Sequence, residues 1–114
     1  MSDEEVTFNK NFLDTYDEGM KEFQNKNYLR AHIILRSNDI KNYYEAQYWI
    51  GYMYFLGLGT EQNYEIAADY FLKSAKQGYK NAYHMLYLMY KNGLYFEKNK
   101  DIEQMYYNLY NTSN

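Results

Sequence analysis

The stretch from Ala46 to Ala82 recurs one period further along the chain, and this internal repeat restricts the fold more than any other feature. It reads AQYWIGYMYFLGLGTEQNYEIAADYFLKSAKQGYKNA. A shift of 82 − 46 = 36 residues carries Ala46 onto Ala82, Tyr54 onto Tyr90, Gly57 onto Gly93, Asn63 onto Asn99 and Tyr70 onto Tyr106. Each period holds two helical patterns joined at a glycine turn, Gly57-Leu58-Gly59 in the better unit. A lone helix pair cannot cover its own apolar face, so a repeat of this period predicts a helical solenoid whose units bury one another. With 114 residues the chain fits one such domain. Proline is absent, so nothing interrupts a helix by removing a backbone donor.

Taken in order, the chain divides into three units. Ser2 and Glu5 have capping-box spacing, so a first helix starts near residue 3 and runs to about Gln24, with Phe12, Leu13, Tyr16, Met20 and Phe23 as its stripe. Asn25-Lys26-Asn27 breaks it, and a second helix carries Tyr28, Ala31, Ile34 and Leu35 until Ser37-Asn38-Asp39. Asn42 with Glu45 marks the start of a third helix, about Tyr43 to Leu56, which is apolar on several sides and should be the most buried. Asn63 caps a fourth, whose inner face is Ile66, Ala67, Tyr70, Phe71 and Ala75, and Gly78 ends it. Asn81 caps a fifth, which runs to about Asn92. The sixth spans roughly Asn99 to Asn111 with Ile102, Met105, Tyr106 and Leu109 on one face. The units are a degenerate one at about 3–40, the best one at 43–78 and a capping one at about 81–111.

With Ala46, Gly51, Tyr54, Gly57, Gly59, Tyr70, Lys73, Ala75, Gly78 and Ala82 in place, the central unit closely resembles the Sel-one-like repeat (SLR) family, a relative of the tetratricopeptide repeats. The family pattern is A-x-x-x-L-G-x-x-Y-x-x-G-x-G, a helix with small and aromatic positions, then K-A-A-x-x-G; Ile50 stands for the Leu and Ser74-Ala75 for the Ala pair. The likeness is specific over 46–82, fair over 82–110 and only tetratricopeptide-like over 12–38, where Gly19, Tyr28 and Ala31 survive. In the last unit Tyr87 replaces the helix glycine and Tyr95 the second turn glycine, which suggests a re-angled cap. The resemblance implies an all-α fold, a short right-handed α-solenoid of three antiparallel helix pairs. Gly51 and Ala75 are then packing residues where helices must approach closely.

Function is read first by what the residues leave out. Without cysteine there is no thiolate metal site, disulfide or cysteine nucleophile. His32 and His84 belong to different units, no serine lies in a G-x-S-x-G elbow, and Gly57-Leu58-Gly59-Thr60 lacks the strand and the Lys-Ser/Thr of a phosphate loop. The expectation is therefore no catalytic residue, no cofactor and no metal: not an enzyme. A formal charge of −3 with scattered lysines disfavours nucleic acid. No run approaches the roughly 18 apolar residues of a membrane helix, and the acidic start MSDEEVTF is unlike a signal peptide. A cytoplasmic protein away from membranes is expected. Seventeen tyrosines suit an interface, although an AT-rich genome would also raise Tyr, Asn and Lys together.

The resemblance makes protein binding the leading expectation: a scaffold or adaptor that holds another protein or a peptide segment. An inhibitor or immunity-type protein covering one target is the alternative, and a small carboxylate-dependent hydrolase a remote one. Carrying the tetratricopeptide register onto the first helix of each unit implies a concave groove. Its positions are Leu13, Tyr16, Met20 and Phe23, then Glu45, Tyr48, Tyr52 and Phe55, then Asn81, His84, Leu88 and Lys91. The groove would be aromatic, open to an apolar segment, with His84 and Lys91 adding polar contacts at one end. Alternatively these aromatics fill a tightly curved interior. A solenoid end exposes a surface that another repeat would cover, so a homo-oligomer through Tyr106, Tyr107 and Tyr110 is a secondary expectation.

Overall fold

The computed structural model describes residues 3–113, with side chains from residue 11 onward. The described residues form α1 (Asp3–Gln24), α2 (Tyr28–Leu35), α3 (Tyr44–Leu56), α4 (Tyr64–Lys76), α5 (Lys80–Asn92) and α6 (Lys100–Thr112). The fold is all-α, and the helices pack as three pairs, α1/α2, α3/α4 and α5/α6. Principal extents of 49 × 33 × 19 Å describe an elongated slab. The radius of gyration is 15.3 Å, against roughly 13 Å for a compact domain of this length.

The core is split as a repeat array requires. One cluster, Ala31, Leu35, Ile40, Ala46, Ile50 and Met53, joins the first pair to the second. Another, including Ala67, Phe71, Ala75, Ala82, Leu86 and Met89, joins the second to the third. Burial of these side chains stabilises each junction at about 25 cal/mol per Å² of apolar surface removed from water. Neither cluster belongs to one pair, so each pair depends on its neighbour.

The 36-residue period is realised in the hydrogen bonds. Asn63 and Asn99 are N-caps whose Oδ1 atoms accept from the N–H groups of Ile66 and Ile102, both at 3.0 Å. Gly57 and Gly93 end α3 and α5 in the left-handed region, and the next N–H, of Leu58 or Leu94, donates to the carbonyl of Met53 or Met89 at 2.8 and 2.9 Å. Gly59 has a further reason to be glycine. A Cβ there would lie 2.5 Å from the backbone carbonyl group of Tyr28, because the turn of the second pair rests on the first turn of α2.

The first pair departs from this plan by a countable amount. Gly19 approaches Leu35 as Gly51 approaches Phe71, yet Gly19 precedes its partner by 16 residues and Gly51 by 20. The missing four residues are in the turn, which is 25–27 in the first pair and 57–63 in the second. Lys26 closes the shorter turn at φ 64. Its N–H donates to Phe23 and that of Asn27 to Glu22, the paired bonds of a left-handed helix cap.

One sequence expectation needs correction. Asn42 and Asn81 do not cap: the N-caps of α3 and α5 are Tyr43 and Tyr79, without a side-chain cap bond. Asn42 instead offers its carbonyl to Gln77 Nε2 at 3.2 Å, while Asn81 Nδ2 donates to Tyr79 Oη at 3.1 Å. The third helix is, as expected, the most buried: it matches the buried residues of α4 in number, and of its own residues Leu56 alone is exposed. On the stripe of α6, Ile102 and Tyr106 are partly buried, Tyr106 against the second cluster, whereas Met105 is 46% and Leu109 37% exposed. The expected Ser2 capping box lies outside the described residues.

Polar bonds lock α3 to α4. The buried Ser74 Oγ donates to the Tyr44 carbonyl at 2.8 Å, and Gln77 Nε2 donates to Gln47 Oε1 at 2.7 Å. Ser74 is thus a structural donor that holds the second helix of the pair to the start of the first.

Candidate partner-binding face

The twelve register positions fall on α1, α3 and α5, and the structure treats them unequally. Tyr16, Met20 and Phe23 pack from α1 onto the core that joins the first two pairs, whereas Leu13 is 53% exposed and stands apart from it. On α3, Tyr48 and Phe55 lean against the buried Phe71 of α4, with ring centroids at 5.9 and 6.3 Å. Tyr52 stacks on Tyr48 at 6.2 Å and meets Trp49 edge-on at 5.7 Å. On α5, His84 packs against Tyr110 at 5.0 Å, and Leu88 joins the second cluster. Asn81 and Lys91 are exposed, and Lys91 Nζ lies 5.5 Å from the centre of the Tyr87 ring. The structure therefore gathers Tyr16 and Phe23 of α1 with Tyr48 and Tyr52 of α3 into one aromatic surface, sets Leu13 apart from it and leaves Asn81 and Lys91 exposed.

Four members of that surface are absent from the register positions: Tyr43, Tyr44, Trp49 and Tyr79. Phe23 reaches Trp49 at 5.0 Å, and Tyr16 meets Tyr43 at 5.1 Å with perpendicular rings, so α1 touches α3 through aromatics alone at these points. Such edge contacts add about 0.5–1.5 kcal/mol each beyond the area they bury. Tyr79 closes the surface from the third pair, 5.4 Å from Tyr48 and 5.1 Å from Tyr44. One signal for them was present: Tyr43 and Tyr79 occupy the same place one period apart.

Burial decides the ionisation of these hydroxyls. Burial first, and then the nearby Glu45 carboxylate, hold the Tyr16 hydroxyl well above the ordinary tyrosine range. Tyr43 is raised by burial and by the Glu45 charge. Tyr48 is pushed up to about 12, by burial and then by Tyr52 and Tyr79. All three stay neutral at physiological pH.

No group of three His, Cys, Asp or Glu among the described residues converges as a metal site. No described helix is long and apolar enough to cross a membrane. His32 is buried at 4% exposure against Tyr54, at a ring separation of 5.1 Å, and its Nε2 has no partner.

Comparison with known proteins adds two findings. The model of the Sel1 repeat family matches residues 45–79, the unit with the fullest glycine pattern. Among solved structures, the chain is similar to a Sel1 repeat protein from Oxalobacter formigenes, at 35% identity over 82% of this chain and with a TM-score of 0.79. The chain spans 38% of the length of that protein. None of the curated proteins matches the chain.

Proposed function

Taking the chain as the Sel1 repeat protein that these likenesses show it to be, we propose that it is a non-enzymatic scaffold that holds another protein against α1, α3 and the edge of α5. Sel1 repeats commonly mediate protein interactions and are usually non-catalytic. The observation that carries the reading is the half-exposed aromatic surface of Tyr16, Trp49, Tyr52 and their neighbours. Tyr and Trp present large rigid areas at small entropic cost, and they dominate the energetics of protein interfaces. Within this reading Tyr52 is the contact residue and Tyr48 its support, since Tyr48 leans on Phe71 from behind.

Affinity capture from the source cells, quantified by mass spectrometry for the wild type and for Tyr52→Ala, tests the proposal. A partner held through this surface should be retained at least about fivefold less well by the variant, the effect of a hot-spot residue worth about 1 kcal/mol. Equal retention by a variant of unchanged helicity would move the binding surface elsewhere.

A further inference from the structure

Laid on the second pair one period earlier, the third pair exchanges its contacts between helices. In the second pair Gly51 lies against Phe71, and Ser74 donates to the Tyr44 carbonyl. The corresponding positions of the third pair hold Tyr87 and Tyr107, whose ring centroids are 5.4 Å apart, and Tyr110 and Lys80, whose Nζ lies 5.0 Å over the Tyr110 ring. His84 packs on Tyr110 at 5.0 Å and stacks on Tyr87 at 6.3 Å. Lys91 Nζ lies 5.5 Å over the Tyr87 ring and donates to its hydroxyl at 3.3 Å. Basic side chains and tyrosine rings thus alternate along α5, in the order Lys80, Tyr110, His84, Tyr87, Lys91, and none of the five is buried. We propose that this ridge receives an acidic segment of the protein partner, its aspartate or glutamate carboxylates on the basic groups and its apolar carbons on the rings.

Three observations carry this. The first is the line on which the groups lie. Lys80, His84, Tyr87 and Lys91 stand at i, i+4, i+7 and i+11 of α5, which is one stripe of a helix. Eleven residues of helix rise about 16 Å, the length of an extended segment of about five residues. Each lysine rests on its own ring, so the charges are spaced along the ridge and do not converge on one point. Carboxylates distributed along a chain match that spacing, and a single dense anion does not.

The second is charge. Residues 80–100 hold four lysines and one glutamate, a formal +3, in a chain whose whole charge is −3. Helix α5 itself contains no acidic residue. At the end of the ridge Lys91 lines a cavity of about 220 Å³ together with Lys98, Asn99, Lys100 and Glu103. Three lysines face one glutamate there, and that glutamate lies 4.0 Å from Lys100. The positive charge is therefore local. A long phosphate polymer would be repelled by the negative remainder of the chain, whereas a short acidic segment is attracted to this end alone.

The third is that the repeat does not require these bases. One period before Lys80, His84 and Lys91 stand Tyr44, Tyr48 and Phe55, and before Asn81 stands Glu45. The same helix positions thus carry rings and a carboxylate in the second pair, and basic groups with no carboxylate in the third. A segment that crosses from α3 to α5 meets aromatic rings first and positive charge second, which fixes its direction.

That the ligand is part of a protein rests on the preceding proposal, but the ridge is measurable without any partner. The purified, 15N-labelled chain is titrated at low salt with acetyl-pentaglutamate amide and, separately, with the neutral acetyl-pentaglutamine amide, and amide chemical shifts are followed. Saturable shifts along α5 and at residues 98–100 are expected with the glutamate peptide and not with the glutamine peptide. Binding should weaken by about fivefold or more in Lys80→Gln/Lys91→Gln of unchanged circular dichroism, and also as salt is raised. Equal responses to the two peptides, shifts confined to residues outside the ridge, or undiminished binding by the folded variant would each overturn the proposal. Inorganic phosphate that saturates the same amides as tightly would make the ridge an oxyanion site instead, and tighter binding of an oligothymidylate would make it a nucleic-acid surface; either result overturns the acidic segment. Should the double variant fail to fold, the two peptides and the positions of the shifted amides in the wild type decide. Failure of the glutamate peptide to bind, with partner capture still sensitive to Tyr52→Ala, refutes the acidic-segment site only. Binding on α5 with capture insensitive to Tyr52→Ala refutes the aromatic surface instead.

Discussion

Replacing Gly51 by leucine tests how closely α3 lies on α4. A Cβ on Gly51 would sit 2.9 Å from both Cδ1 and Cε1 of Phe71 and 3.2 Å from the Ala67 carbonyl oxygen. Neither obstacle yields easily. The Phe71 ring is fully buried between Tyr48 and Phe55, and the carbonyl belongs to the backbone of α4. A helical glycine replaced by a better helix former should gain up to about 1 kcal/mol in propensity. Overpacking a filled core costs about 1–3 kcal/mol, and more where the neighbours are rigid. Leucine brings three further carbon atoms beyond Cβ, so the upper end applies and a net loss of about 2–3 kcal/mol is expected. For a chain of this size each kcal/mol moves the melting temperature by about 4 °C, so Gly51→Leu should melt about 8–12 °C lower. A double-mutant cycle identifies the cause. If the clash is with Phe71, then the double variant Gly51→Leu/Phe71→Ala must lose at least about 1 kcal/mol less in total than the sum of the two single losses. Urea denaturation of the four proteins supplies the cycle. An unchanged melting temperature, or strict additivity with Phe71→Ala, would show that the helices do not meet at this glycine.

The remaining expectations are smaller in reach. Lys26 at φ 64 and Tyr95 at φ 63 hold a backbone conformation that costs L-residues about 1–2 kcal/mol, so Lys26→Gly and Tyr95→Gly should each raise the free energy of unfolding, by about 1 kcal/mol in urea titrations. Ser74→Ala removes one of two donors to the Tyr44 carbonyl, which keeps its bond within α3, a loss of about 0.5–1.5 kcal/mol by the same measurement. Burial, and secondly the Arg36 charge, hold the His32 pKa below its ordinary value. Above about pH 6.5 the ring is neutral both folded and unfolded; below it the unfolded chain takes up a proton that the native state resists. Stability should therefore fall as the pH is lowered from 7.5 to 5. His32→Leu should flatten that decline in denaturation curves taken across the range.

The repeat was legible because its markers are backbone requirements. Gly57 and Gly93 end helices in the left-handed region, Asn63 and Asn99 cap, and each is a residue type with few substitutes for its task. The first pair was read only loosely, since its turn is four residues shorter and is closed by Lys26, a residue that does not advertise a left-handed conformation. Capping by Asn42 and Asn81 was misread because the third and fifth helices start from tyrosines; the Asn81 side chain bonds Tyr79 instead, and Asn42 meets Gln77 only through its backbone carbonyl. At the candidate face the helix register included Tyr16 and Tyr48, which the structure brings against other aromatic rings. It passed over Tyr43, Tyr44, Trp49 and Tyr79, which reach the surface from neighbouring turns through the length of their side chains. Ile40 was likewise invisible: it lies in a polar connection, yet it is buried at the first junction.

The division of the core between adjacent pairs also governs how the chain acquires and loses its structure. Every major helix contact is between neighbours in sequence, so each step of folding closes a short loop and the search is fast. The middle pair is supported from both sides, while α6 has no buried residue of its own. Opening should therefore proceed inward from that end, with amide hydrogens of α6 exchanging through local detachment and those of α3 and α4 waiting for global unfolding.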